Sequence, residues 1–269
     1  MAGRRLSGRA LRRAAVSLVV FVAIWELGAR SGPLFGFKLP WLGDLPHPSA
    51  VVLIWARMAT EAAYWYSWLA SFWRVLGGFA AAMVLGIPLG LALAASRTFR
   101  GTVFPVFEVI RPIPPLAWVP AAIIVWPTQE LAITFITFLG AFFTIVINVL
   151  GGVRSLDTRF VQAARSLGAS NADVFRRIIL PATVPSIVVG AAVGIGITWE
   201  VVVAAEMISG ASKVGGKGAG LGHLIWASYL GGDYNQIVVG MVSIGIAGYL
   251  CSSAVRRLGT WLTSWQTTR

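Results

Sequence analysis

Apolar residues occur in long runs along this chain, and the lengths of these runs predict helices that cross a membrane. A membrane-spanning helix needs roughly 20 mostly apolar residues. Six runs approach that length, and short polar stretches separate them. They cover about residues 14–29, 68–95, 113–126, 131–150, 182–208 and 237–255. The pattern therefore predicts an all-α, polytopic membrane protein with about six transmembrane helices.

The third run is the least regular of the six. It is short, and it carries Pro112, Pro114, Pro115 and Pro120, each of which interrupts helical hydrogen bonding. Part of the preceding segment, residues 103–110, is therefore a candidate for the same span.

The first run follows five arginines and resembles a secretory signal, but its end favours an uncleaved helix. That end carries Glu26 and Arg30 and lacks a small-residue cleavage site. The two charged residues are spaced to pair on one helix face. The next segment is rich in Pro and Gly over residues 31–48 and amphipathic over residues 49–66. The amphipathic part is typical of a helix that lies along the membrane or against the bundle.

Composition excludes most soluble proteins. Hydrophobic residues make up 57% of the 269 and charged residues only 12%, whereas soluble domains are about a quarter charged. A net charge of +12 would suggest nucleic-acid binding in a soluble protein, but here the basic residues lie between apolar runs. We therefore expect membrane lipid around the chain and no nucleic-acid partner.

The basic residues also predict an orientation, because short cytoplasmic loops retain Lys and Arg. With the N-terminus inside, 15 of the 22 Lys and Arg residues fall on cytoplasmic segments. The sequence thus predicts a membrane protein with both termini in the cytoplasm. Its predicted regions are a basic N-terminus (1–13), a first helix with an outer amphipathic segment (14–67), a transmembrane core (68–255) and a cytoplasmic tail (256–269).

Residues for metal, redox or nucleotide chemistry are scarce. One cysteine, Cys251, and two isolated histidines allow no disulfide and no His-rich or Cys-rich metal site. An intramembrane enzyme is a rival class, but neither H-E-x-x-H nor G-x-S-x-G occurs. The glycine-rich stretch 210–222 fails as a phosphate loop, because Gly218 follows Lys217 where Ser or Thr is required. We predict no cofactor and no metal in this chain, and interpret that stretch as an outer loop or re-entrant turn. Elsewhere, the GxxxG pairs at 86–90 and 190–194 indicate close helix contacts.

The loop between the fourth and fifth runs, residues 151–180, is predicted to fold as two short helices around a turn. Asp157 lies near the start of the first helix, and Gly168 can end it as a C-cap. Ser170 and Asp173 match a capping box that starts the second helix. Pro181 then marks the beginning of the fifth span.

This loop also carries a family resemblance. The string Gln162-Ala-Ala-Arg-Ser-Leu-Gly168, then nine residues, then Ile178-Ile-Leu-Pro181, resembles the EAA motif of ATP-binding cassette (ABC) importer permeases, with Gln162 in place of the usual Glu. The proline-rich segment 111–120 is similar to that of the nitrate, sulfonate, taurine and bicarbonate permease branch. The segments 204–207 and 220–222 are similar to the region after the fifth span in that branch.

The resemblance implies a type I ABC importer permease fold in the bacterial inner membrane, with a cytoplasmic coupling loop, residues 151–181. It also implies a homodimer, two separate ATPase subunits that bind ATP and Mg, an external solute-binding protein and a small, anionic solute. Another organic solute such as a thiamine precursor stays an alternative, and a stand-alone channel or secondary transporter is the rival from another class. The residues expected to couple to the ATPase are Gln162, Ala163, Ala164, Gly168, Ile178, Leu180 and Pro181.

Four residues are candidates for the translocation pathway. Arg111 can bind an oxyanion through forked hydrogen bonds, although retention at the inner face or pairing with Glu108 explains it equally well. Glu200 and Glu206 are charges in or near the fifth span, where charge is costly and suggests a pathway or a partner. Trp199 is a candidate beside them, with packing as the alternative.

Overall fold

The computed structural model describes residues 8–208 and 218–263, and its regular elements there are helices. Most of the glycine-rich stretch and the ends of both predicted terminal regions lie outside these ranges. The helices are α1 (Gly8–Ala29), α2 (Ser31–Phe35), α3 (Pro48–Met58), α4 (Ala62–Ala95), α5 (Arg97–Ile110), α6 (Val119–Val125), α7 (Gln129–Arg154), α8 (Thr158–Ser166), α9 (Asn171–Val174), α10 (Leu180–Ile208), α11 (Leu221–Leu230) and α12 (Tyr234–Leu262).

Within the described ranges, four helical stretches are long and apolar enough to cross a membrane. They are α4, α7, the continuous stretch Asn171–Ile208 and α12. A fifth candidate is the bent pair formed by α5 and the segment Pro115–Val125. The apolar part of α1, Ala15–Ala29, is shorter. Each of these stretches overlaps one of the six predicted runs, and the predicted all-α, polytopic fold is confirmed, with four or five described helices of spanning length where about six were predicted.

The third predicted span differs from the structure in its course. The sequence placed one short helix at about 113–126, whereas the chain bends by 87° between α5 and the segment that begins at Pro115. Pro112, Pro114 and Pro115 fall at this bend. Proline removes a backbone donor and disfavours helical geometry at the residue before it, so the closely spaced prolines end α5 and re-aim the chain.

The predicted amphipathic helix at 49–66 is too long, because α3 ends and α4 begins within that range. Side chains add hydrogen bonds to carbonyls at the end of α3. The Thr60 hydroxyl donates to the Arg57 carbonyl at 2.7 Å, and the Trp65 indole donates to the Ala59 carbonyl at 2.9 Å. Helix α4 consequently starts six residues before the predicted start of the second span. The sequence also gave no indication of helix α11.

The chain divides into two compact units. Within the described residues, one unit comprises 8–70 with 218–245, and the other comprises 71–208 with 246–263. Helices α4 and α12 each contribute residues to both units. The predicted coupling loop and all four predicted pathway residues belong to the second unit.

The first unit has an apolar core and a polar cluster at the end of α1. Glu26 and Arg30 form the predicted ion pair at 2.6 Å, and the Glu26 carboxylate also accepts the Ser49 backbone N–H at 3.0 Å. These contacts fix the end of α1 to the start of α3. The buried core residues are Val51, Met58, Tyr64 and Val239.

Helix α7 lies at the centre of the second unit, and glycines let its neighbours approach closely. A Cβ atom at Gly90 of α4 would lie 2.8 Å from the Cβ of Val149. A Cβ atom at Gly190 of α10 would lie 2.8 Å from the Cβ of Asn148. Neither position accepts a larger residue without a shift of the helices, so the close contacts predicted from the two GxxxG pairs are confirmed.

Candidate functional site

The loop 151–181 has the predicted helix–turn–helix form. The Asp157 carboxylate accepts a backbone N–H of the first turn of α8 at 2.9 Å. Gly168 has a φ of +84°, a left-handed geometry that favours glycine, and it follows the end of α8. Ser170 and Asp173 form the reciprocal capping box at the start of α9. Short-range sequence signals thus determine each boundary of the turn.

The second helix of the loop is joined to the fifth span. Helix α9 continues through a π-helical turn, Phe175–Ile179, directly into α10. At the π turn the Leu180 N–H bonds to the carbonyl of Phe175, five residues back. The next residue, Pro181, has no backbone N–H to donate to a helical hydrogen bond. Helices α9 and α10 therefore belong to one continuous helical stretch, Asn171–Ile208.

The loop presents apolar side chains on its surface. Phe160 is 63% exposed and Leu167 is 88% exposed, although both are large hydrophobic residues. Of the predicted coupling residues, Gln162, Ala163 and Gly168 are exposed, and Ala164, Ile178, Leu180 and Pro181 are half-buried. The structure thus brings part of the motif to the surface beside an uncovered apolar patch, while the coupling role of these residues stays a prediction.

Arg111 lines a cavity of about 380 Å³ in the second unit. Residues of α7 between Leu139 and Asn148 form much of its wall, and Ile197 of α10 contributes to it. Arg111 therefore lies beside the central part of α7. Arg111 is at the same time the C-cap residue of α5. Its predicted pairing with Glu108 is confirmed at 3.1 Å, between two side chains that are each nearly half exposed.

Glu206 belongs to a partly buried cluster of charges that links three helices. Arg74 of α4 contacts Glu206 of α10 at 2.8 Å and Glu130 of α7 at 2.6 Å. The Ser71 hydroxyl donates to both carboxylate oxygens of Glu206, at 2.8 and 2.9 Å. Arg74 is 3% exposed and Glu206 is fully buried. This geometry favours a structural role for Glu206, and its pathway role stays a prediction.

Sequence reasoning did not single out Arg74 or Glu130, although a signal was present. Arg74 is the single charged residue in the apolar run 68–95, and Glu130 immediately precedes the run 131–150. Charges inside spans usually pair with one another. One basic and two acidic residues in or beside three spans are therefore candidates for an ion cluster, but the sequence does not show whether these spans are neighbours.

The two other pathway candidates differ in their surroundings. Trp199 is buried and makes an edge-to-face contact with Phe72, with ring centroids 5.4 Å apart, as expected for a packing residue. Glu200 is exposed, and its side chain forms no hydrogen bond or ion pair with any described residue. It is not among the residues that line the Arg111 cavity. The described residues contain no group of three or more His, Cys, Asp or Glu that could hold a metal ion.

Comparisons with known proteins agree with this architecture. The sequence profile of the family described as binding-protein-dependent transport system inner membrane component matches residues 86–267. A putative ABC transporter permease of Methanocaldococcus jannaschii is 39% identical over 68% of this chain and 66% of its own length. The nitrate import permease NrtB of Synechocystis is 33% identical over 88% of this chain and 84% of its own. The taurine transport permease TauC of Escherichia coli is 34% identical over 76% of this chain and 72% of its own.

A solved structure shows the same fold. An inward-facing form of the MetNI methionine ABC transporter contains a chain that is 19% identical to this one, with a TM-score of 0.62. The match covers 76% of this chain and 99% of that chain. At this identity the likeness concerns the fold alone.

Proposed function

This chain belongs to the family of binding-protein-dependent transport system inner membrane components, and we propose that it carries a small oxyanion into the cytoplasm. It is a multi-pass permease of the ABC importer type. In the proposal, two copies of this chain and two ATPase subunits form the transporter, and a solute-binding protein delivers the solute from outside. The ATPases bind ATP and Mg, and their closure shifts the permease between inward-facing and outward-facing states.

The uncovered apolar patch on the loop 151–181 carries the coupling part of this proposal. Leu167 is 88% exposed at the end of α8, beside the exposed Gln162 and Ala163. Isolated exposed leucines are common, but Phe160 is also exposed on this short helix. A groove on the ATPase would cover both side chains, and the continuous stretch Asn171–Ile208 would pass its movement into the membrane.

Charge supports a cytoplasmic position for this loop and for both termini. Five arginines lie between Arg154 and Arg177, and another five precede residue 14. If α1 and the bent pair each count as one span, four spans separate the N-terminus from the loop. An even number of spans returns the loop to the side of the N-terminus, in agreement with the retention of basic residues on the cytoplasmic side.

The solute class is proposed from the relatives together with the Arg111 cavity. NrtB is named a nitrate permease and TauC a taurine permease. Nitrate and the sulfonate group of taurine both present several oxygens that share negative charge. A guanidinium group matches such oxygens with two parallel hydrogen bonds. Arg111 beside the central part of α7 supplies this group where a transported solute could reach it.

The coupling proposal is tested by co-purification. Leu167→Asp places a charge in the patch that the ATPase would cover, and Gly168→Asp combines a charge with a side chain at a positive φ. We expect each variant to retain ATPase about thirtyfold less well, which corresponds to the 2 kcal/mol of a buried interface anchor. ATP-driven uptake in cells should fall in parallel.

The matched control is Leu45→Asp, the same chemical change at an exposed leucine outside the loop. It should leave ATPase retention unchanged. Full retention of the ATPase by Leu167→Asp, with uptake still coupled to ATP hydrolysis, would show that this patch is not the docking surface.

A further inference from the structure

The wall of the Arg111 cavity has two chemically different parts. One part carries hydrogen-bond donors, which are supplied by Arg111, Thr144 and Asn148. The other part is apolar, and it is formed by Leu139, Phe143, Ile147 and Ile197. None of the described residues that line the cavity is acidic. A ligand that fits this wall needs a negative end and an apolar end.

The guanidinium of Arg111 keeps donors available for such a negative end. Its Nη1 atom donates to Glu108 at 3.1 Å. Within the described part of the chain, its Nε and Nη2 atoms form no further hydrogen bond or ion pair. These two atoms are the edge of a guanidinium that binds two oxygens of one anion. Glu108 holds the group from one side and leaves this edge free.

Thr144 and Asn148 lie one helical turn apart on α7 and add neutral donors to the same wall. The Asn148 amide nitrogen gives one N–H to the Thr144 carbonyl at 2.8 Å, which leaves its second N–H. The Thr144 hydroxyl forms no hydrogen bond with another described residue. Both groups can therefore donate to an anion without breaking an existing contact.

The apolar part of the wall is larger than an inorganic anion requires. Ligand pockets of about 300–1,000 Å³ hold organic molecules, and this cavity measures about 380 Å³. A nitrate or bicarbonate ion would contact the donors but would leave Phe143 and Ile197 against water. An alkyl or aryl group would cover these side chains and gain the free energy of apolar burial.

We propose that this cavity is a binding subsite for an organic oxyanion, a sulfonate or carboxylate with an apolar body, in preference to an inorganic oxyanion. The charged head lies against the free edge of Arg111 and the hydroxyl of Thr144. The apolar body lies against Phe143, Ile147 and Ile197. This inference rests on the proposed function, since it assigns the solute class of the same pathway.

Saturation-transfer difference NMR on the full permease–ATPase complex in nanodiscs tests the subsite, because it detects weak binding without transport. The probes are methanesulfonate, 1-butanesulfonate and, as a competitor, nitrate. We expect affinity to rise about fourfold for each methylene that becomes buried. Nitrate should displace 1-butanesulfonate less effectively than methanesulfonate does.

Three variants and one control test whether the sulfonates bind in this cavity. Arg111→Gln and the isosteric Thr144→Val should each weaken 1-butanesulfonate binding about tenfold or more, because each removes a hydrogen bond to a charged group. Ile197→Ala should weaken 1-butanesulfonate binding but leave methanesulfonate nearly unchanged. Arg97→Gln, at the other end of α5 and exposed, is the matched control and should bind as the unchanged protein does.

Each contrary result has a distinct meaning. Equal affinity for nitrate and 1-butanesulfonate would overturn the organic preference. Unchanged binding in both Arg111→Gln and Thr144→Val would place the ligand elsewhere and overturn the subsite. If the probes bind as expected while the complex shows no ATP-driven uptake of any oxyanion, the proposed function fails and the subsite stands.

Discussion

Replacing Arg74 with methionine removes the guanidinium that neutralises the buried carboxylate of Glu206. The pair is 2.8 Å apart, with 3% and 0% of the two side chains exposed. Loss of one partner from a buried ion pair costs about 3–5 kcal/mol, because the remaining charge stays out of water. Glu130 is 43% exposed, so water can solvate its carboxylate after Arg74 is lost. Almost the whole cost therefore comes from Glu206.

The measurement is a double-mutant cycle on thermal stability. At about 2–4 °C per kcal/mol for a chain of this size, Arg74→Met should lower the apparent Tm by roughly 6–20 °C. Glu206→Met should also be destabilising. The double variant replaces the pair with apolar side chains, so its loss should be smaller than the sum of the two single losses by about 2 kcal/mol. Fluorescence-detected size-exclusion chromatography of heated samples gives the apparent Tm of the two single variants and of the double variant.

Lys38→Met is the matched control for loss of a basic ion-pair partner. Its partner Asp44 is 3.3 Å away, and the two side chains are 70% and 75% exposed. An exposed pair contributes about 0–1 kcal/mol, so the apparent Tm should fall by no more than about 4 °C. The reasoning about Arg74 is refuted if Arg74→Met costs no more than this control, or if the double variant loses the full sum.

Three further substitutions test the fold around the site, and Gly101→Ala is the control for the third. Gly168→Ala should destabilise the loop by about 1–2 kcal/mol because of its φ of +84°, with faster hydrogen exchange in residues 158–179 as the readout. Ser170→Ala should cost about 1 kcal/mol through the lost cap, with the same exchange readout confined to α9. Gly90→Ala should lower the apparent Tm, because its Cβ would lie 2.8 Å from that of Val149. Gly101→Ala, with no atom within 4 Å of the added Cβ, should leave Tm unchanged or raise it.

The coupling loop illustrates what can be predicted from sequence. Asp157, Gly168 and the Ser170–Asp173 capping box act within a few residues of themselves, so their residue types alone indicate where helices start and stop. The continuity of α9 with α10 was not predicted. It depends on the π turn that accommodates Pro181, which is a property of the folded helix more than of any one residue.

The candidate sites illustrate the opposite case. Arg111 was recognised as an oxyanion candidate from its chemistry, but its position beside the central part of α7 follows from the 87° bend that the prolines impose. The partners Thr144 and Asn148 gave no signal, because a threonine and an asparagine in an apolar run are ordinary. Only the packing of α7, α10 and the bend around one cavity shows that these donors face the same space.

The sequence by itself determined that this chain is a helical, multi-pass membrane protein, because the length of an apolar run and the retention of arginines act locally along the chain. It also determined the helix–turn–helix of residues 151–181. The tertiary structure alone decided which helices are neighbours, and hence that Arg74, Glu130 and Glu206 form one cluster and that Arg111 shares a cavity with Thr144. The physical reason is that hydropathy is similar on every apolar helix, whereas the choice of neighbours depends on the fit of glycines and side chains across helix surfaces.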